Sequence, residues 1–331
     1  MTVKTDSQST SVANGKRGVR RLFEQRELSI FLVVLAAALF LNFASPNFKS
    51  AANLTAIVLG LSFDAILAVG MTVLLISGGF DLSVGATLAL AGATAGYAMT
   101  KLGASVPMAI LIGLLTGAIV GVGNGLLIAR VRVNPFIATL GMQQIVRGAV
   151  LLLTAGYGIP NLPDSFNVMG QGKFLGIQDP VWVMLVIVIV GEVLLRRSRF
   201  FRQSYFIGGN ERSARLSGIG VERVKIINYM LMGVLAAVSG LLLTARMGTA
   251  SVSAGMNAEL RVISAVVIGG ASLAGGEGSV LGSLLGVLLM ALLANGLNLL
   301  GINVYWQTIV TGTVLVIAVA ADAINRRRSG G

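Results

Sequence analysis

The chain has 331 residues, of which 55% are hydrophobic and only 11% are charged, and its formal net charge is +12. A soluble domain carries roughly 25% charged residues, so this composition excludes a soluble protein and predicts an all-α, polytopic membrane protein. The chain has no cysteine and no histidine. We therefore expect no disulfide, no metal site and no catalytic residue of the usual kinds.

The apolar segments follow a polar, basic start. Residues 1–27 predict a disordered basic cytoplasmic tail, and residues 326–331 predict a second basic tail. Since one membrane span needs roughly 20 apolar residues, the sequence between the tails predicts about ten transmembrane helices. We place them at 28–45, 53–77, 84–100, 106–128, 136–154, 180–195, 226–245, 259–275, 279–300 and 304–324.

The basic residues predict the orientation of these spans. If the N-terminus is cytoplasmic and ten spans follow, nineteen of the 25 Lys and Arg residues fall in segments on the cytoplasmic side. Cytoplasmic loops of membrane proteins carry such an excess of basic residues. The N- and C-termini are therefore both predicted to be cytoplasmic, and the charge is explained by membrane topology better than by nucleic-acid binding.

Polar residues inside the spans are candidates for a substrate path. Asp64 lies near the middle of the second span, where a carboxylate costs on the order of 2.5–3.5 kcal/mol and should face the bundle interior or water. It either lines a path or forms a hydrogen bond between helices. Asp81, in a glycine-rich break, is either the N-cap of the third span or part of a broken-helix site. The amide candidates, which either bind a polyhydroxylated solute or join helices, are Asn124, Gln143, Asn295 and Asn298.

The longest predicted cytoplasmic segment, 196–225, contains a short helix at 210–218. Asn210 is a good N-cap, and Glu211 falls in the first turn, where a carboxylate favours the helix dipole. Gly218 closes the helix. The helix places Ala214 and Leu216 beside Arg212 and Arg215, so it is either a docking element for a partner's groove or a loop that only carries topology charges.

No phosphate-binding loop for ATP is present in the sequence. Such a loop needs the pattern G-x-x-x-x-G-K-[ST], and Gly172-Lys173 is followed by Phe174. If transport is driven by ATP, a separate chain must hydrolyse it.

Five motifs in order resemble the permease subunits of bacterial ribose-type sugar ABC importers. They are GGFDLSVG (78–85), NPFIATLGM (134–142), IGGNERSARLSGI (207–219), AVVIGGASLAGGEGSVLG (265–282) and NGLNLLG (295–301). The resemblance implies one ABC importer transmembrane permease domain over 28–325, in the bacterial inner membrane, that imports a monosaccharide or related polar solute by alternating access. A nucleoside, autoinducer-like or polyol substrate, or an ion-coupled secondary transporter, is the alternative.

The same resemblance implies the partners. They are an ABC ATPase subunit that binds ATP and Mg²⁺, a periplasmic or lipid-anchored sugar-binding protein, and a second permease chain in a homodimer or heterodimer. The helix at 210–218 then corresponds to the coupling helix that docks on the ATPase. Lys49, Arg246 and Arg261 are candidates for contact with the sugar-binding protein, or else are interfacial basic residues.

Overall fold

The computed structural model describes residues 12–329, which form thirteen helices and one two-stranded antiparallel hairpin. The helices are α1 (Val12–Ala44), α2 (Ala51–Ile76), α3 (Val84–Lys101), α4 (Val106–Ala129), α5 (Pro135–Thr154), α6 (Asp164–Gln171), α7 (Asp179–Arg197), α8 (Arg199–Gly209), α9 (Glu211–Leu216), α10 (Val221–Met247), α11 (Ala258–Ile268), α12 (Val280–Leu299) and α13 (Val304–Ser329). The hairpin strands, β1 (Lys173–Phe174) and β2 (Ile177–Gln178), lie between α6 and α7.

Every predicted span overlaps a helix, which confirms the all-α class. Within the described residues, six helical segments are long and apolar enough to cross a membrane, and they belong to α1, α2, α4, α5, α10 and α12. A shorter apolar stretch, Tyr305–Ala320, lies in α13. The number of ten membrane crossings stays a prediction. Helix α1 begins at Val12, inside the segment predicted as a tail, while residues 1–11 and 330–331 of the predicted tails lie outside the described residues.

The predicted span 259–275 is too long. Helix α11 ends at Ile268 and has 11 residues, which at 1.5 Å per residue gives about 16 Å, roughly half of a hydrocarbon core. The chain leaves the helix because Gly270, Gly275 and Gly276 all have positive φ, a conformation that glycine adopts without steric cost. The segment 269–279 is therefore an irregular connection to α12.

Helix α2 forms the centre of the bundle. Its residues from Ala65 to Ile76 are buried, and it belongs to the largest hydrophobic cluster together with residues of α7, α10, α11 and α12. A helix that is apolar all round is expected in such a central position.

Helices α4 and α10 approach each other at backbone distance along a line of glycines. Gly117, Gly121 and Gly125 lie one turn apart on α4, and a Cβ at any of them would meet backbone atoms of α10. At Gly117 the clash would be with the carbonyl oxygen of Gly233. Small residues at this spacing allow close helix packing in a membrane, where burial from lipid gives no hydrophobic drive.

The bundle has two ends, named here after the helices that mark them. At the α9 end, the amide of Gly276 donates to the carbonyl of Ile76 at 2.9 Å, which joins the segment 269–279 to the end of α2. Gly208 of α8 packs against both. At the α6 end, Gly170 of α6 packs against the backbone of Arg246 in the last turn of α10.

Candidate functional site

A cavity of about 720 Å³ lies between α2, α11, α12 and α13. It is in the half of the bundle near the α6 end, because Asn295 in its wall bonds to Asn53 in the first turn of α2. Most of the wall is apolar, and its polar side chains include Asp64, Arg261, Asn295, Asn298, Gln307 and Thr311. A concave, mostly apolar pocket with a few convergent polar groups is the usual form of a small-molecule site.

An ion pair crosses the cavity wall between α2 and α11. The Nη2 and Nε atoms of Arg261 lie 3.3 Å from the two carboxylate oxygens of Asp64. Arg261 also donates from Nη1 to the carbonyl of Met256 at 3.1 Å. Both side chains are partly exposed, Asp64 by 27% and Arg261 by 39%. Because the two charges compensate each other, the pair suits an uncharged polar solute.

The amides of the cavity form two hydrogen-bonded pairs. Asn295 and Asn53 exchange hydrogen bonds of 2.7 and 3.2 Å between their side chains. Nearer the α12–α13 turn, Gln307 donates to the Oδ1 atom of Asn298 at 2.6 Å. Each amide group both donates and accepts, so this wall can exchange hydrogen bonds with hydroxyl groups. Three of the predicted path residues, Asp64, Asn295 and Asn298, therefore lie together.

The other three predicted path residues, Asp81, Asn124 and Gln143, do not line this cavity. Asp81 and Asn124 are buried at the start of α3, where the Asn124 amide donates to the Asp81 carboxylate at 3.2 Å and to the Ser83 hydroxyl at 2.9 Å. The N-cap residue of α3 is Ser83 rather than Asp81. Asp81 lies two residues before Ser83, and its Oδ1 atom accepts the Ser83 amide at 2.7 Å.

Gln143 belongs to a polar group at the start of α11. Its amide donates to the Oε1 atom of Glu259 at 3.0 Å. Arg147, one turn further along α5, donates to the carbonyls of Val252 and Ala254 at 2.9 and 3.1 Å. Sequence reasoning did not single out Glu259 as the partner of Gln143. Its position two residues after Asn257, at the start of an apolar run, is the signal that identifies it as an acid in the first turn of a helix.

Helix α9 has the cap and the charges that the sequence predicts. The Oδ1 atom of Asn210 accepts the amide of Ser213 at 2.9 Å. Glu211 binds Arg215 at 2.7 Å on its own helix and Lys225 of α10 at 2.6 Å. Burial raises the pKa of Glu211, but the hydrogen bonds and charges of Lys225 and Arg215 outweigh it, so the pKa lies below its usual value. The carboxylate is therefore ionised at neutral pH.

The apolar residues of α9 face in opposite directions. Ala214 is buried against Ile207 and Val221, whereas the Leu216 side chain is 84% exposed. Arg212 is exposed as well. After Ser217, Gly218 takes the positive φ that ends the helix. The helix is thus fixed to the bundle on one side and presents a leucine with basic neighbours on the other.

The three basic residues predicted to contact the sugar-binding protein are not grouped. Lys49 is exposed in the turn between α1 and α2, and Arg246 is exposed in the last turn of α10. Arg261 lies in the cavity wall with Asp64. Contact with a partner stays a prediction for all three.

Comparison with known proteins decides the family. The profile described as the permease component of branched-chain amino acid transport systems matches residues 50–319. The chain belongs to this permease family. The permease is a multi-pass membrane protein, in keeping with its apolar helices. No solved structure matches it significantly.

The relatives of the permease include sugar permeases. It is 41% identical over 320 residues to the ribose import permease protein of Escherichia coli K12, and the aligned residues cover 95% of this chain and 98% of the relative. It is 41% identical to the ribose import permease protein of Bacillus subtilis, over 90% and 92% of the two chains. It is 35% identical to the L-arabinose transport system permease protein of E. coli K12, over 93% of both.

Proposed function

We propose that the permease is the transmembrane subunit of an ATP-driven sugar importer and that the cavity beside Asp64 and Arg261 is part of its sugar path. The similarity over nearly the full chain to permeases named for ribose and arabinose supports the substrate class. The cavity carries the proposal for this chain, because it combines compensated charges with amide and hydroxyl groups suited to a neutral polyhydroxylated solute.

The cavity and α9 lie toward opposite ends of the bundle. If the α9 end is cytoplasmic, as the basic residues of 196–225 indicate, the cavity is in the half that faces the outside of the inner membrane. The structure then represents a state that receives sugar from outside. Both termini are cytoplasmic in this arrangement, which requires an even number of crossings and agrees with the ten that the sequence predicts.

A separate ATPase supplies the energy in this proposal. It binds ATP and Mg²⁺ and contacts α9, where Leu216 enters an apolar groove and Arg212 meets acidic or carbonyl acceptors. A second permease chain completes the path, and a periplasmic or lipid-anchored sugar-binding protein delivers sugar at the α6 end. Lys49 and Arg246 are exposed at that end and are available to it.

The test is co-purification of the permease with its ATPase, followed by sugar uptake in proteoliposomes. Leu216→Asp places a charge in the proposed contact, so we expect loss of the ATPase and of uptake. The matched control for ATPase co-purification is Leu175→Asp, because Leu175 is 77% exposed in the hairpin at the other end. Assembly and uptake that survive Leu216→Asp would refute the ATPase contact, and uptake driven by an ion gradient without ATP would refute the importer class.

A further inference from the structure

Helices α8 and α9 form one unit with the start of α10. Ile207 of α8, Ala214 of α9 and Val221 and Val224 of α10 make a small hydrophobic cluster. The ion pair between Glu211 and Lys225 joins α9 to α10, and the Asn228 side chain donates to the Ser204 hydroxyl at 3.0 Å, which joins α10 to α8. Helices α8 and α9 are therefore joined to each other through the first turns of α10.

Helix α8 in turn holds the segment 269–279. The hydroxyl of Tyr205 donates to the carbonyl of Gly278 at 2.8 Å. Burial and the nearby Glu192 charge, partly offset by Arg196, raise the pKa of Tyr205 to about 12, so its hydroxyl keeps its proton at physiological pH. One turn later, Gly208 lies so close to the Ile76 carbonyl and to Gly275 that a Cβ would not fit.

Glu192 of α7 binds the first residues of α12, directly after this segment. Its Oε2 atom accepts the backbone amides of Val280 and Leu281 at 3.0 and 3.3 Å, and its Oε1 atom accepts from Arg196. Glu192 is buried. A carboxylate on the first amides of a helix is stabilised by the helix dipole, so Glu192 fixes the start of α12.

The segment 269–279 connects the helices of the proposed sugar path to the contacts that Tyr205 and Glu192 make. It joins α11, which carries Arg261, to α12, which carries Asn295. The hydrogen bond from Gly276 to Ile76 also ties it to α2, which carries Asp64. Three of the helices that line the cavity, α2, α11 and α12, are thus joined at one place beside α8.

We propose that the segment 269–279 transmits movement of α9 to the sugar path, and that two positioning residues hold it in place: Tyr205 holds the segment to α8, and Glu192 holds the adjoining start of α12 to α7. This inference rests on the proposed function. It assigns no new contact with sugar or ATPase: the two residues determine whether ATP hydrolysis is converted into transport.

The test uses the full complex of permease, ATPase and sugar-binding protein in proteoliposomes, with radiolabelled ribose, xylose and arabinose as probes. The measured quantity is the number of ATP molecules hydrolysed per sugar imported. Tyr205→Phe keeps the ring and removes one hydrogen bond, so we expect this ratio to rise roughly two- to tenfold, the factor that corresponds to one net hydrogen bond. ATPase co-purification should stay as in the wild type. The control is Tyr157→Phe, because Tyr157 is 95% exposed at the α6 end.

A second pair of variants tests the α7 side independently. Glu192→Gln removes the charge at the start of α12 and should raise the same ratio. Its control is Glu222→Gln, which only removes a weak exposed pair with Arg130 at 3.6 Å. If Glu192→Gln does not fold, the Tyr205 pair alone decides.

The possible results separate the two proposals. A wild-type complex that imports none of the three sugars refutes the proposed function. A working wild type with an unchanged ratio in Tyr205→Phe overturns the transmission proposal alone, and so does a variant that loses thermal stability while hydrolysis and uptake fall in proportion. Only a raised ratio with intact assembly supports it.

Discussion

The ion pair between Asp64 and Arg261 allows a quantitative test of the cavity. At 3.3 Å and an effective dielectric constant of 20, the attraction between the two charges is about 5 kcal/mol. Desolvation and the ordering of two partly exposed side chains offset most of it. We therefore expect a net coupling energy of about 1 kcal/mol, at the upper end of exposed pairs.

The assay is a double-mutant cycle with Asp64→Asn and Arg261→Gln. The free energy of unfolding is measured for the wild type, both single variants and the double variant by titration with sodium dodecyl sulfate in mixed micelles. The control cycle uses Arg130 and Glu222. Their side chains are 74% and 46% exposed, and the Arg130 Nε atom lies 3.6 Å from the Glu222 Oε1 atom, so their coupling energy should be close to zero. Additive effects at Asp64 and Arg261 would show that the pair does not hold α2 to α11.

Three further predictions concern helix packing and α9. Gly117→Ala should lower the free energy of unfolding by about 1–3 kcal/mol, because its Cβ would clash with the Gly233 backbone. The control in the same titration is Gly148→Ala, since a Cβ at Gly148 would meet open space. Equal effects of the two substitutions would contradict the close packing of α4 on α10. Asn210→Ala removes the cap of α9 and should destabilise that helix by about 1 kcal/mol. The measurement is hydrogen exchange of the backbone amides at 211–217, which should become faster. Unchanged exchange would show that the cap is dispensable. Because the pKa of Glu211 is lowered in the folded state, its stabilising contribution is full above its ordinary pKa and is lost as the pH falls through the lowered value. The exchange rate of α9 amides should therefore rise only in acid, and a change near neutral pH would contradict this assignment.

The positions of the long helices follow from composition. α2, α4 and α12 are long runs without charged residues other than Asp64, and such runs have few alternatives in lipid. The Asn210 cap and the break at Gly218 also follow from local chemistry, since side-chain capping and positive φ depend on adjacent residues.

The division of the polar residues into two sites did not follow from sequence. Asp64 meets Arg261 across 197 positions of the chain, and Gln143 meets Glu259 across 116. Such pairings depend on how the helices cross, which hydropathy does not encode. The same limit applies to Glu192. From the sequence it is a single acid near the end of α7 that could face solvent and pair with Arg196. Only the position of α12 beside α7 shows that it also binds the first amides of α12.

The end of α11 was mispredicted for a related reason. Residues 269–275 are small and apolar enough to continue a span, and the glycines that end the helix are equally common inside spans. The helix ends where Gly270 takes a positive φ, and there Gly269 approaches Gly282 of α12 so closely that a Cβ would meet its backbone.

The glycine line between α4 and α10 limits how this protein can move. Backbone meets backbone at three consecutive turns of α4, so any Cβ brought to these positions would clash with the main chain of α10. These two helices are therefore expected to keep their register relative to each other. Under the proposed function, the movement of α9 must therefore reach α11 to α13 without a change of register between α4 and α10.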